Sequence, residues 1–311
     1  MADEYSNSAD AVDALETLGL GPGSANRLLD GVEQAGGLDD GIVIETLQPG
    51  DAPDPNADIT VRQNADGTMT ITTKGSDEAI TIGTEDDDQI NGGTGTNDEI
   101  RAGGGNDIVF TGSGADSVFG GDGDDVVGTG AGNDQNFLGA GDDTVFAGAG
   151  NDTVGGGDGD DALFGGEGAD TIYAGGGDDT LWAGKGNDAD QLYGGDGADR
   201  VGGGGENDQL FGGAGDDTLF ASAGNDTLSG GEGNDLVFGG DGDDSVIAGA
   251  GDTVWGGAGQ DIVRLSGINS GDVSVETNPQ DGVTTLTFTD GSTMILRDVE
   301  SIEFDDGSED L

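Results

Sequence analysis

A nine-residue repeat fills the middle of the chain and limits the folds open to it. Residues 83–264 divide into twenty successive rows of the form G-G-x-G-x-D-x-U-x, where U is aliphatic, and seventeen rows are nine residues long. Row 120–128, with the sequence GGDGDDVVG, shows the pattern clearly. A short repeat at fixed spacing is typical of solenoids, in which each unit buries its apolar side chain only by stacking on its neighbours.

Each fixed position of the row has a physical reason. The aliphatic residue at position 8, such as Val127 or Leu163, predicts a short strand with one inward side chain. The glycines permit the positive φ of a tight loop with exposed main-chain carbonyls. A short carboxylate at position 6, beside those carbonyls, suits Ca²⁺, which takes six to eight oxygen ligands at ~2.3–2.6 Å, whereas Mg²⁺ gives up its water less readily.

The charge and composition of the chain point to a bound cation as the source of order. The sequence holds 68 Gly and 65 acidic residues against 8 Lys and Arg, a formal net charge of −57, and only 32% of its residues are hydrophobic. Such a composition is typical of disordered chains, and such a charge opposes compaction unless counter-ions bind. The regular register of twenty rows argues against the alternative, a solvated acidic coil.

The position-6 carboxylates are therefore the candidate metal ligands. They are Asp88, Asp98, Asp107, Asp116, Asp125, Asp134, Asp143, Asp152, Asp161, Asp170, Asp179, Asp188, Asp199, Asp208, Asp217, Asp226, Asp235, Asp244, Asp252 and Asp261.

Irregular rows disturb this pattern in a few places, and the least regular ligands are Asp88, Asp188, Asp208 and Asp252. Two extra residues in the row from Ala183 leave Asp188 and Asp190 in competition for one ligand position.

These rows resemble the RTX (repeats-in-toxin) family over 182 of the 311 residues. The resemblance implies an all-β fold, a parallel β-roll in which two rows make one coil and Ca²⁺ lies between successive loops on both sides. Twenty rows then give about ten coils, a rod of roughly 50 Å, and up to about eighteen Ca²⁺, which would change the net charge from −57 to about −21. It also implies secretion of the unfolded chain through a type I (ABC) exporter and folding in extracellular calcium.

Several function classes are disfavoured or excluded. The chain has no His and no Cys, which excludes the H-E-x-x-H zinc proteases and lipases of the G-x-S-x-G type. The acidic surface argues against nucleic acid, and no apolar stretch is long enough for direct membrane insertion by a helix. We expect no enzyme activity, and the start of the chain at Met1 predicts no secretory signal peptide.

The flanks predict small additional units. Residues 1–57 form an N-terminal segment in which 10–18 and 24–34 are candidate short helices, followed by a Pro-containing linker. Residues 58–82 and 265–311 are expected to be β end caps with alternating strands and Asp-Gly turns, at 66–67 and at 281–282 and 290–291. The tail 296–307 resembles the segment that follows many RTX arrays, which fits a C-terminal secretion signal.

Aromatic residues recur at position 9 in twelve rows, which predicts an outward ladder of rings. Two interpretations stay open: the rings stabilise the sheets, or they form an apolar stripe at an interface. The favoured function is a secreted, self-assembling surface or matrix protein (S-layer, filament or biofilm), with self-association through the end caps or the stripe. The alternative is a calcium-dependent binding or adhesion module for a glycan or cell surface.

Overall fold

The computed structural model describes residues 2–5, 42–47, 59–63, 69–73, 78–92, 95, 97–185 and 188–311. Its strands are β1 (Ala2–Tyr5), β2 (Ile42–Leu47), β3 (Ile59–Gln63), β4 (Met69–Thr73), β5 (Glu78–Ile82), β6 (Gln89–Asn91), β7 (Asn97–Gly104), β8 (Ile108–Phe110), β9 (Ser117–Asp122), β10 (Val126–Ala131), β11 (Gln135–Ala140), β12 (Thr144–Ala149), β13 (Thr153–Asp158), β14 (Ala162–Glu167) and β15 (Thr171–Gly176).

The second half continues with β16 (Thr180–Gly184), β17 (Gln191–Asp196), β18 (Arg200–Gly205), β19 (Gln209–Ala214), β20 (Thr218–Ala223), β21 (Thr227–Glu232), β22 (Leu236–Asp241), β23 (Ser245–Ile247), β24 (Thr253–Ala258), β25 (Ile262–Leu265), β26 (Val273–Thr277), β27 (Thr284–Phe288), β28 (Thr293–Arg297), β29 (Ser301–Phe304) and β30 (Gly307–Asp310). A short 3₁₀ helix covers Ser270–Asp272. The part of the chain that is described contains no helix able to cross a membrane.

The repeat builds two parallel sheets, as predicted. Each strand pairs in parallel with the next strand but one, so Val127 on β10 lies beside Val145 on β12, eighteen residues on. We call the sheet of odd-numbered strands β7–β25 sheet A and that of even-numbered strands β6–β24 sheet B. The loops that lead into sheet A form edge A, and those that lead into sheet B form edge B. The prediction of a β-roll of about ten coils is confirmed.

The core is a thin aliphatic layer between the two sheets. One side chain from position 8 of almost every row is fully buried: Ile100, Val109, Val118, Val127, Val145, Val154, Leu163, Ile172, Leu181, Leu192, Val201, Leu210, Leu219, Leu228, Val237, Val246, Val254 and Val263. Asn136 occupies this position on β11, between Val118 and Val154, and is also fully buried. The next inward residue, Leu138, fills the space at position 1 that glycine, alanine or threonine takes elsewhere.

Antiparallel strands extend the roll at both ends. Strands β3, β4 and β5 form a meander within 58–82, and β5 pairs in parallel with β7. After the repeat, β26, β27 and β28 form a second meander that joins sheet B through β24. Strands β29 and β30 form a hairpin that joins sheet A through β25, so the C-terminal residues extend both sheets. The helices predicted at 10–18 and 24–34 lie outside the described residues.

Candidate metal centre

Two columns of buried aspartates run along the rod, one at each edge. All the position-6 aspartates predicted from the sequence are buried except Asp188. In eighteen successive pairs the backbone N–H of one aspartate donates to Oδ1 of the aspartate one coil later, at 2.7–3.0 Å. Each loop is thus joined to the next through a carboxylate.

In most of these carboxylates the second oxygen lacks a partner. In sixteen of the aspartates Oδ2 is buried and makes no hydrogen bond: Asp107, Asp116, Asp125, Asp134, Asp143, Asp152, Asp161, Asp170, Asp179, Asp199, Asp208, Asp217, Asp226, Asp235, Asp244 and Asp261. A buried, ionised carboxylate oxygen is costly unless a positive charge or a donor meets it. A column of such oxygens therefore fits a column of cations.

The pKa values of the aspartates express the same cost. Burial raises the pKa of Asp143 and Asp170 to about 7 and that of Asp161 to about 6, from an ordinary value of 3.8. The N–H bond that each Oδ1 accepts lowers the pKa, and for Asp143 and Asp170 carboxylates one coil away in the same column raise it again. Without cations, the folded roll favours protonated aspartates.

Glycine at positions 2 and 4 lets main-chain carbonyls face the space between coils. Gly123 and Gly141, both at position 4, have φ of 125° and 134°, which L side chains rarely adopt. A Cβ on Gly141 would lie within 3.0 Å of the Gly123 carbonyl oxygen, closer than real Cβ atoms come. In the described loops, backbone N–H groups donate to carbonyls at positions 3 and 6, but not to those at position 4. The Gly259 carbonyl accepts the side-chain amide of Gln260, and the other described position-4 glycine carbonyls remain available to a metal ion.

In the irregular row from Ala183, Asp190 occupies the ligand position in the column. Asp190 is buried and accepts the N–H of Asp170, twenty residues earlier, at 2.7 Å. Its own N–H donates to Oδ1 of Asp208. The prediction that Asp188 holds this place in the column is wrong: Asp188 is exposed, because the two extra residues precede the column position.

Position 5 carries a second column, which the sequence pattern left unassigned. Here most N–H groups donate to a side-chain oxygen one coil earlier, as from Asp142 to Asp124 and from Asp160 to Asp142 on edge B. Edge A has asparagine in several of these places, as in the bond from Asn151 to Asn133. The frequency of Asp and Asn at position 5 was the signal that could have predicted these exposed ladders.

The residues present fit calcium better than a metal bound by side chains alone. Among the described residues no three carboxylates converge on one point. An ion between two loops would therefore take Oδ2 of position 6 and complete its shell with main-chain carbonyl oxygens of the glycine loops. A large, all-oxygen and adaptable ligand set of this kind is what Ca²⁺ accepts.

A family model decides what these loops are. The model of the RTX calcium-binding nonapeptide repeat matches residues 82–118, 101–135, 137–154, 155–189, 189–210, 202–237, 220–252 and 238–267, which together cover more than half of the chain. The chain belongs to the RTX calcium-binding repeat family. RTX repeats bind calcium, and their proteins are typically secreted. The resemblance inferred from the sequence is confirmed. A search of the curated proteins gave no match to this RTX chain.

Proposed function

We propose that this RTX protein is secreted through a type I exporter, folds when it meets extracellular calcium, and assembles into a surface or matrix layer. The column of buried Oδ2 atoms without partners supports folding in calcium. One Ca²⁺ for each of the eighteen bonded loop pairs would add a charge of +36 to a chain of −57. Extracellular modules bind calcium at ~10⁻⁴–10⁻³ M, which leaves such a chain unfolded in cytosol.

The outer face of sheet B supports assembly into a layer. Positions 7 and 9 of strands β8–β24 in sheet B hold no carboxylate, and Arg200 is their one charged residue. Several large apolar side chains are exposed there, including Ile108, Phe110 and Leu236. In a chain with 65 acidic residues, a long row of positions 7 and 9 without carboxylates favours contact with another surface.

The end of the rod offers a further contact. In the part of the chain that is described, β6 pairs with β8 and with no other strand, so it is the last strand of sheet B at this end of the roll. The last strand of a sheet is where a strand from another chain can add. Head-to-tail addition at this edge would extend the rod into a filament.

The alternative, glycan recognition, has a weaker basis in the aromatic ladders. Tyr173, Tyr193 and Phe211 stack on sheet A with centroids 4.9 Å apart and planes 5° to 9° apart. Consecutive rings therefore cover each other's faces and expose their edges, whereas sugars stack on exposed ring faces. This arrangement supports the role of the ladder in stabilising the sheet.

Calcium titration followed by circular dichroism, light scattering and electron microscopy tests the proposal. We expect β signal to appear between ~10⁻⁴ and 10⁻³ M calcium, followed by growth of scattering and visible polymers. A β signal that is unchanged in calcium-free buffer would refute the calcium part. Folding to a lasting monomer would refute the assembly part, and a hit on a glycan array would then favour the adhesion role.

A further inference from the structure

The aspartate column of edge A continues beyond the repeat into the C-terminal strands. The N–H of Asp261, the last repeat aspartate, donates to Oε2 of Glu300 at 2.7 Å, as earlier aspartates do to the next Oδ1. The N–H groups of Glu300 and Ser301 donate to the Asp261 carbonyl at 3.2 Å, which matches the loop-to-strand bond of the regular rows. Glu300 therefore takes the place of the next position-6 aspartate.

The main-chain carbonyl of Asp298 lies where the regular loops place a glycine carbonyl. A Cβ on Gly239 would meet both Oδ2 of Asp244 and the Gly256 carbonyl within 3.0 Å. A Cβ on Gly256 would likewise meet Oδ2 of Asp261 and the carbonyl of Asp298. Asp298 has a φ of 48°, a left-handed conformation that brings a non-glycine residue into a glycine-like turn.

An unpartnered oxygen points to a ligand at this junction. Asp261 is 1% exposed, and its Oδ2 makes no hydrogen bond. The end of edge B differs, because Oδ2 of Asp252 accepts the N–H of Gly249 at 2.7 Å and is satisfied by the protein itself. Of these two ends, that of edge A alone has both a second carboxylate, from Glu300, and a buried oxygen without a partner, Oδ2 of Asp261.

We propose that Asp261, Glu300 and the Asp298 carbonyl form an additional calcium site that joins the last coil to the C-terminal hairpin β29–β30. The inference rests on the proposed calcium dependence and extends it to a residue outside the nonapeptide rows. A hard divalent cation is the ligand class, since all the donors are oxygens and two are carboxylates. The consequence is that docking of the C-terminal strands depends on calcium as the coils do.

The test uses the full-length chain with Trp182→Phe, which leaves Trp255 as the single tryptophan. Trp255 lies on β24 and pairs with Arg297 of β28, next to the C-terminal strands. Glu300→Gln keeps an oxygen that can accept the Asp261 N–H but removes the charge. Glu309→Gln removes the same charge from an exposed position on β30 and serves as the matched control.

Two measurements are made during calcium titration: bound calcium per chain by equilibrium dialysis, and Trp255 fluorescence beside the β signal. We expect Glu300→Gln to lose one bound ion and to need at least about tenfold more calcium at the Trp255 midpoint, while the midpoint of the β signal and Glu309→Gln stay unchanged. Equal stoichiometry and midpoints in both variants would overturn the proposal and leave Glu300 a hydrogen-bonding residue. If the parent chain itself binds no calcium, it is the proposed function that fails.

Discussion

Replacing one column aspartate should stabilise the roll without calcium, and calcium should remove or reverse that gain. Asp161→Asn keeps an oxygen for the Asp143 N–H, which Oδ1 now accepts at 2.9 Å, and removes the charge of the orphaned Oδ2. In calcium-free buffer the change should stabilise the roll. Oδ2 of Asp161 and the Ala174 carbonyl oxygen both lie within 3.0 Å of the point that a Cβ on Gly156 would occupy, so the two oxygens face the same space. A neutral amide repels the carbonyl oxygen less than a charged carboxylate does.

The expected change in the free energy of unfolding follows from the raised pKa of Asp161. Burial raises the pKa of Asp161 to about 6 from 3.8, which corresponds to a penalty of roughly 2–3 kcal/mol on the ionised form at pH 7 after a discount for water at the edge. Asp161→Asn should gain this amount without calcium. In ~10 mM calcium, a hundredfold excess over a dissociation constant of ~10⁻⁴ M, each lost ion removes about 2.7 kcal/mol. The gain should then disappear or reverse.

The assay measures the free energy of unfolding in both conditions. Urea unfolding gives it in calcium, and folding induced by trimethylamine oxide gives it in calcium-free buffer, each extrapolated to plain buffer. Asp160→Asn is the control, because Asp160 is an exposed neighbour whose Oδ1 bond to the Asp178 N–H an asparagine can keep. An effect of Asp161→Asn that is equal in the two conditions, within about 0.5 kcal/mol, would refute the reasoning.

Three further outcomes are expected. In calcium-free buffer, stability should fall as pH rises from about 4 to about 7, because the folded pKa of aspartates such as Asp143 is raised to about 7 and protonation favours the folded state below it; circular dichroism at successive pH values checks this, and stability that rises with pH would contradict it. Gly141→Ala should cost roughly 2–4 kcal/mol because of its positive φ and the carbonyl beside it, whereas Gly176→Ala, with only a side-chain oxygen at 4.0 Å, should stay within about 0.5 kcal/mol in the same urea titration. Asn136→Val should stabilise the roll by about 1–2 kcal/mol, since Oδ1 of Asn136 is buried without a partner, and a lower thermal midpoint would show that the amide has a structural role.

Most of the roll could be predicted because each fixed position of the row has a local physical role, such as filling the core or supplying a carboxylate. The spacing of aliphatic residues gave the strands, and one carboxylate per row gave the two columns. Where a row departs from nine residues, spacing alone could not choose between Asp188 and Asp190, since the choice depends on which residue stacks over Asp170.

Contacts between distant segments were beyond sequence reasoning. Glu300 lies 39 residues from Asp261, and no periodicity connects them, so only the three-dimensional fold could place its carboxylate in the column. The C-terminal strands themselves were predictable from alternation and Asp-Gly turns. Their attachment to both sheets was not, because it depends on where each chain segment leaves the last coil.

The two additional residues in the coil between Asp170 and Asp190 have a practical consequence. Strands β15 and β17 keep their pairing across this coil, with Ile172 beside Leu192, although the step is twenty residues instead of eighteen. The fold therefore tolerates extra length between β16 and β17 while β15 and β17 keep their register and β16 and β18 still pair over Thr180–Trp182. Asp188, between β16 and β17, is exposed. A peptide tag or a small domain inserted beside Asp188 would therefore project from the rod, which makes this position suitable for engineering.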